Sequence, residues 1–189
     1  MTEEAEQPRP DDSGKLDIRL AVPSDAQAIA SIHVQAWQAA YAHIFPATFL
    51  AGLDVARRTE AWRQLLAEAT DVTLVAERDG AVVGWISGGL SDDADADGAA
   101  EIKAIYIAPA FWHRGIGRSL MAAIDPRLPV APHVLLWVLS ENRQALDFYG
   151  ALGYRPDGTR QEIERGGVRT EKLRLKNGLR SRMPQTSTT

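Results

Sequence analysis

The spacing of hydrophobic residues switches between helix-like and strand-like periods along the chain, and these switches predict the elements. Ser24 and Gln27 have the capping-box spacing that begins a helix. Apolar residues then recur every three or four positions, which predicts one buried helix face. They are Ile29, Ile32, Ala36, Trp37, Ala40 and Tyr41. Pro46 breaks this pattern, and a second helix is predicted from about residue 55 to 67.

Strand patterns follow and alternate with two further helices. The sequence predicts strands at residues 16–21, 72–77, 81–89, 101–107, 134–139, 154–164 and 168–175. Arg78-Asp79-Gly80 and Gly166-Gly167 are typical hairpin turns. Helices are predicted at residues 118–124 and 142–152. The predicted order is therefore β-α-α-β-β-β-α-β-α-β-β, in one domain over residues 15–177 with polar tails at residues 1–14 (disordered) and 178–189 (flexible).

Composition narrows the classes of partner. The 189 residues carry a net charge of −4 without a long basic run, which argues against nucleic acid. The chain has no cysteine, so disulfides and thiolate zinc sites are excluded. The acidic start and the lack of a long apolar run predict no membrane partner and a cytoplasmic location.

The most informative stretch is a strand, a glycine-containing turn and a helix between Glu101 and Ile124. Pro109 ends the strand, and the turn contains Gly115 and Gly117. Such a turn directs several free N–H groups and the positive end of a helix dipole at one point, which suits a phosphate. A P-loop would need an earlier glycine and a lysine, and a dinucleotide fingerprint would need glycine at Leu120. Both of these alternatives fail.

Two motifs in this chain resemble those of the GNAT superfamily of acetyl-coenzyme A-dependent N-acetyltransferases. Ile107-Ala-Pro109 followed by Trp112-His-Arg-Gly115-Ile-Gly117 resembles motif A, although Trp112 stands where the family usually has Arg or Gln. Asn142-Arg-Gln-Ala145-Leu-Asp-Phe148-Tyr149-Gly-Ala-Leu-Gly153-Tyr154 resembles motif B. The resemblance covers about residues 16–176. It implies an α/β (α+β) GNAT fold: a mixed, mostly antiparallel sheet of about seven strands, splayed between its central strands and flanked by four helices.

The resemblance also implies a binding site for acetyl-CoA as co-substrate. Backbone groups near residues 105–107 would pair with the pantetheine arm, and the turn would hold the pyrophosphate. The implied cofactor-binding residues are Ile105, Tyr106, Ile107, Trp112, His113, Arg114, Gly115, Ile116, Gly117, Arg118, Ser119, Asn142, Ala145 and Tyr149.

Transfer to an amine requires a group that takes a proton from the amine and a group that protonates the leaving thiolate. Glu101 aligns with the general base of some GNAT enzymes, and an exposed glutamate at a strand end is the alternative. Tyr149 aligns with the family's general acid, and a packing tyrosine is the alternative. His33, Trp37 and Tyr41 are candidate contacts of the acceptor, although each also fits a packing role.

These observations predict an N-acetyltransferase that uses direct transfer to a primary amine, with a small molecule favoured over a peptide or protein, and a possible homodimer. A catalytically silent acyl-CoA-binding module and an unrelated nucleotide-binding domain are the alternatives.

Asp93-x-Asp95-x-Asp97-Gly98 matches half of a calcium loop. The twelfth position of that loop is Ala104, however, so a solvated acidic loop is favoured and no metal is predicted.

Overall fold

A computed structural model describes residues 14–177 of the chain. Apart from Gly14, the two predicted tails lie outside the described residues. The strands are β1 (Leu16–Leu20), β2 (Val72–Arg78), β3 (Ala81–Leu90), β4 (Ala100–Ile107), β5 (Val134–Leu139), β6 (Tyr154–Arg165) and β7 (Val168–Asn177). The α-helices are α1 (Ala26–Ala40), α2 (Ala47–Ala51), α3 (Val55–Glu68), α4 (Ile116–Ile124) and α5 (Arg143–Ala151).

The strands form one sheet in the order β1-β2-β3-β4-β5-β7-β6. Within residues 14–177, β4 and β5 are the one parallel pair, and the other neighbours are antiparallel. The parallel pairing joins only residues 100–102 to residues 134–136. No further pairs connect the two strands beyond these residues, which shows that the strands diverge there. The predicted mixed sheet with a splay between its central strands is confirmed.

Helices cover both faces of this sheet. Ile116, Leu120 and Ile124 of α4 are fully buried against residues of the central strands such as Leu136. On the opposite face Ile29 and Ile32 of α1 pack with Val75 and Trp85. Burying apolar surface on both faces contributes roughly 25 cal/mol per Å². This two-sided core holds β4 between two layers of helices. Some of the β4 side chains face α4, and the others face α1.

A β-bulge at Lys103 changes which face of β4 each residue occupies. Ser87 and Gly88 are adjacent on β3, but they pair with Ala104 and Ile102, so Lys103 is the extra residue. Before the bulge Ile102 packs on the α4 side, and after it the odd-numbered Ile105 does. Glu101, next to Ile102, therefore faces α1. Regular alternation would have turned it to the α4 side.

The start of α1 and the number of helices differ from the prediction. A 3₁₀ turn at Pro23–Asp25 precedes α1, and the Ser24 side chain does not cap the helix as predicted. Instead the Asp25 carboxylate accepts the Val22 N–H at 2.8 Å and binds both terminal nitrogens of Arg19. A fifth helix, α2, is a short segment that begins after Pro46. Pro46 ends the helical pattern of α1 in the sequence. The fixed φ of proline also suits the start of a helix, and α2 begins at the next residue.

Candidate active site

The turn before α4 owes its shape to two glycines with different constraints. Gly115 is the N-cap and has φ of 78°, a left-handed conformation that costs a non-glycine residue energy. Gly117 lies inside the first turn, where a Cβ would stand 3.2 Å from the Phe148 ring. The first N–H groups of a helix lack partners within the helix, so those of residues 116–118 are available to an anion.

Trp112 fixes the end of β4 rather than offering its side chain to a phosphate. Its indole Nε1 donates to the Ile107 carbonyl oxygen at 2.8 Å. Ala108, the residue after β4, donates its N–H to the Val83 carbonyl of β3. Because backbone groups alternate between the two edges of a strand, the N–H groups of Ile105 and Ile107 point towards the gap beside β5.

A cleft of about 960 Å³ runs from this gap across the sheet. Every site residue predicted from the sequence lines it except Ser119. Ser119 lies in the first turn of α4 and donates its N–H to the Gly115 carbonyl at 3.0 Å. The α4 side of the cleft contains Ile107, residues 112–118, Ala145 and Tyr149, and the α1 side contains His33, Trp37, Tyr41 and Glu101.

Glu101 is a half-buried carboxylate on the α1 side of the cleft. Burial raises its pKa, and the repulsion from Asp93 and Asp92 adds to this, whereas a hydrogen bond from Ser91 lowers it. The Ser91 hydroxyl donates to Oε2 of Glu101 at 2.8 Å. A carboxylate with a raised pKa is a stronger base than one in water, so Glu101 is suited to accept a proton.

Tyr149 extends from α5 into the same cleft. Its ring packs against Phe148 and Tyr154, with centroid distances of 5.2 Å and 6.0 Å. Burial raises the pKa of its phenol, so the hydroxyl keeps its proton at neutral pH. A protonated hydroxyl in a cleft can give its proton to a leaving group.

Several predicted contact residues already have polar partners within the protein. Asn142 is the N-cap of α5, where its Oδ1 accepts the Ala145 N–H, and its Nδ2 donates to the Tyr41 hydroxyl at 3.2 Å. Trp37 donates its indole N–H to the Tyr106 hydroxyl at 2.8 Å. These four side chains tie α1, β4 and α5 together around the cleft, which is a positioning role.

The sequence reasoning missed several polar residues of the cleft and its border, and four of them surround the acceptor side. Arg58 comes from α3, Arg165 from the end of β6 and Lys172 from β7, and all three line the α1 side. Ser91, the partner of Glu101, follows β3. No signal in the sequence separates these cations from the other arginines and lysines of the chain, because long-range packing alone brings them together.

The acidic loop after β3 exposes Asp92, Asp95 and Asp97 to solvent, and one buried cation also binds it, which the sequence did not predict. Arg174 of β7, only 6% exposed, inserts between its carboxylates. The guanidinium binds both oxygens of Asp95, at 2.6 Å and 2.8 Å, and also Asp93 and Asp157. Trp137 donates its indole N–H to the Asp93 carboxylate as well. The loop is therefore fastened to β5 and β7. Within residues 14–177 no group of three or more acidic or histidine side chains is arranged to hold a metal ion.

Comparisons with known proteins agree with this fold. A sequence model described as "Acetyltransferase (GNAT) family" matches residues 33–154. An uncharacterized N-acetyltransferase, YuaI of Bacillus subtilis, is 28% identical over 85% of this chain and 91% of its own. The peptidyl-lysine N-acetyltransferase YiaC of Escherichia coli is 31% identical over 49% of this chain and 60% of its own.

Among solved structures, YncA of Salmonella typhimurium with its cofactor acetyl-CoA matches with a TM-score of 0.66 and 21% identity. The match covers 92% of this chain and 99% of the YncA chain. Fold, cleft and relatives together define an acyltransferase. The chain belongs to the acetyltransferase (GNAT) family. In residues 14–177 no helix has the length and apolar character that crossing a bilayer requires.

Proposed function

We propose that this protein transfers an acetyl group from acetyl-CoA directly to the primary amine of a small molecule. The observation that carries the proposal is the single cleft of about 960 Å³ in which Glu101, Tyr149, the splayed strand edge and the start of α4 meet. A base, an acid and an anion-binding turn in one cleft are the groups that acyl transfer to an amine requires.

The residues of the α4 side fit a coenzyme. The N–H groups of residues 116–118 suit a pyrophosphate, and the glycine at 117 keeps the turn clear where a Cβ would meet Phe148. The edge of β4 at Ile105 and Ile107 suits an arm with amide groups, as in strand addition. Arg114 and Arg118 line the same region. Acetyl-CoA, when bound, supplies an activated thioester.

Glu101 and Tyr149 divide the proton transfers between them. Glu101 takes a proton from the acceptor's ammonium group, which is mostly protonated at neutral pH because alkylamines have a pKa near ~10. Tyr149 holds a proton for the thiolate that leaves. A backbone N–H of β4 near Ile107 would polarise the carbonyl under attack. Positioned acid–base groups contribute on the order of 10²–10⁴-fold each.

The hairpin beside the acceptor side of the cleft favours a small acceptor over a lysine on a folded protein. The hairpin between β6 and β7 reaches back to α2, and a Cβ at Gly166 would stand only 2.6 Å from the Phe49 ring. Ile163 and Val168 of this hairpin pack in the same cluster as Phe49 and Trp37. This contact holds the hairpin beside the α1 side of the cleft, which Ile163, Arg165 and Lys172 line, so a bulky acceptor would meet the hairpin.

A thiol-release screen tests the proposal. Amino acids, polyamines, aminoglycosides and short peptides are each incubated with acetyl-CoA and the protein, and free thiol and acetylated product are measured. We expect small amines to release thiol in a Tyr149-dependent manner. Coenzyme binding without release across the whole panel would instead favour a silent acyl-CoA-binding module. Competition by ATP or NAD would favour an unrelated nucleotide-binding domain.

A homodimer and a cytoplasmic location are also proposed, and light scattering and cell fractionation test them.

A further inference from the structure

Three cationic side chains converge on the α1 side of the cleft from three different elements. Arg58 comes from α3, Arg165 from β6 and Lys172 from β7. Of the acidic side chains that line the cleft, Glu101 lies on the α1 side and Asp147 on α5 of the opposite side. The part of the cleft assigned to the acceptor therefore has an excess of positive charge.

Arg58 and Arg165 contact rings rather than carboxylates. Arg58 approaches Nε2 of His33 at 3.5 Å, and the Arg165 guanidinium lies 5.2 Å from the centre of the Trp37 ring. Among the salt bridges of residues 14–177, neither arginine takes part. Lys172 differs, because Glu101 and Asp93 lie near enough to act on its charge.

The neighbouring titratable groups respond to this positive field. Burial first, and then Arg58 and Arg165, lower the pKa of His33 to about 3, so its imidazole is neutral. Burial also lowers the pKa of Arg58, and repulsion from Arg165 and Arg57 adds to it. Arg58 is partly buried and Arg165 is exposed, and the two repel each other without a carboxylate partner in the described part of the chain. An anion placed between them would relieve this repulsion and the cost of the burial of Arg58.

We infer that the acceptor of this enzyme is an amine that also carries an anionic group, such as a carboxylate or phosphonate, and that Arg58 and Arg165 bind that group. This inference rests on the proposed acetyltransferase function. Guanidinium groups suit such anions because their planar forks can make paired hydrogen bonds. Glu101, which lies on the same side of the cleft with Lys172 nearby, is then left for the acceptor's amine. The same charges would repel polyamines and aminoglycosides, and the carboxylates of Asp93 and Asp95 are taken by Arg174.

The test compares acceptors that differ only in the anionic group. ω-Amino acids of increasing chain length, α-amino acids and aminoalkylphosphonates are assayed beside their carboxamides or neutral esters in the thiol-release assay. We expect kcat/KM to favour the best anionic acceptor over its neutral partner by about 10-fold or more, because a charge-assisted contact is lost in the neutral one. Equal or better use of the neutral partners throughout the panel would overturn the inference.

Variants then assign the preference to the two arginines. In Arg58→Gln and Arg165→Gln we expect KM for the anionic acceptor to rise roughly 10-fold while KM for acetyl-CoA stays unchanged. Arg57→Gln and Arg169→Gln are the control variants, because Arg57 precedes Arg58 on α3, Arg169 lies on β7 of the same hairpin as Arg165, and neither arginine lines the cleft. An anion preference that survives in the Arg58→Gln/Arg165→Gln double variant contradicts the assignment.

A binding readout separates this inference from the proposed function. N-Acetylated amino acids and their amides are added to the coenzyme-loaded protein, and Tm is measured. If no amine is acetylated but the acids raise Tm more than the amides in an Arg58-dependent manner, the transfer proposal fails and anion recognition stands. If amines are acetylated without any effect of the anionic group, the inference fails and the transfer proposal stands.

Discussion

Replacing Arg174 by methionine tests whether the acidic loop is held by one buried guanidinium. Methionine keeps much of the aliphatic stem's volume but removes the hydrogen bonds to Asp157 at 2.7 Å and to Asp93 at 3.2 Å. The side chains of Asp157 and Asp93 are only 15% and 27% exposed, so both would be left with little solvent compensation. Asp95 is well exposed and is left out of the estimate.

Removing one partner of a buried ion pair costs about 3–5 kcal/mol, and the partial exposure of the aspartates reduces this to about 2–4 kcal/mol. For a chain of this length each kcal/mol lowers Tm by about 2–4 °C, so we expect Tm to fall by roughly 4–16 °C. Differential scanning calorimetry measures the shift.

The matched control is Arg160→Met on the neighbouring strand. Arg160 pairs with Glu171 at 2.8 Å, but its side chain is 65% exposed, so the loss should be about 0–1 kcal/mol. If Arg174→Met lowers Tm no more than this control, the reasoning about the buried network is refuted.

The pH dependence of the difference provides a second check. The pKa of Asp157 lies below its ordinary value; burial opposes this, and the hydrogen bonds from the Thr159 backbone and Arg174 produce it. A depressed folded pKa contributes stability that is present above the unfolded pKa of about 4 and lost as pH falls through the folded value. The Tm difference between wild type and Arg174→Met should therefore narrow below about pH 4. A difference that grows on acidification would contradict the pairing.

Three further substitutions test the catalytic and coenzyme sites. Tyr149→Phe keeps the ring packing, so the Kd for acetyl-CoA should be unchanged while kcat falls by about 10-fold or more, and an unchanged kcat would remove the tyrosine as acid. Glu101→Gln should abolish the acidic limb of the kcat/KM profile, which burial places above the ordinary glutamate pKa of about 4.3; a limb that persists would assign the base elsewhere. Arg118→Pro removes one N–H from the first turn of α4, where proline is tolerated, and Arg118→Ala retains it. We expect the proline variant to bind coenzyme at least about 5-fold more weakly than the alanine variant, and equal affinities would argue against main-chain phosphate binding.

The fold and the coenzyme side of the site were predictable because they depend on local signals. The turn at Gly115 and Gly117 needs residues with little steric restriction, and the strand and helix around it have clear periods. The two family motifs are also local. They brought Glu101 and Tyr149, which are 48 positions apart in the sequence, into one predicted site, and both line the same cleft.

The remaining features depend on interactions between distant segments. The bulge at Lys103 turns Glu101 towards α1, but a single inserted residue leaves an apolar strand pattern that still reads as continuous. Arg57 and Arg58 are adjacent on α3, and only the packing angle of that helix decides which one enters the cleft. Arg174 binds Asp93 and Asp95, two of the three aspartates that resemble a calcium loop, and Asp95 lies 79 positions away from it in the sequence.

The central claim is that the coenzyme is held on main-chain groups of the turn before α4 and of the splayed edge of β4. A crystal structure of the protein with acetyl-CoA tests it most directly. We predict the pyrophosphate within hydrogen-bond distance of the N–H groups of residues 116–118, and the arm paired with Ile105 and Ile107. Acetyl-CoA bound at another surface, with the gap between β4 and β5 closed, would contradict the account.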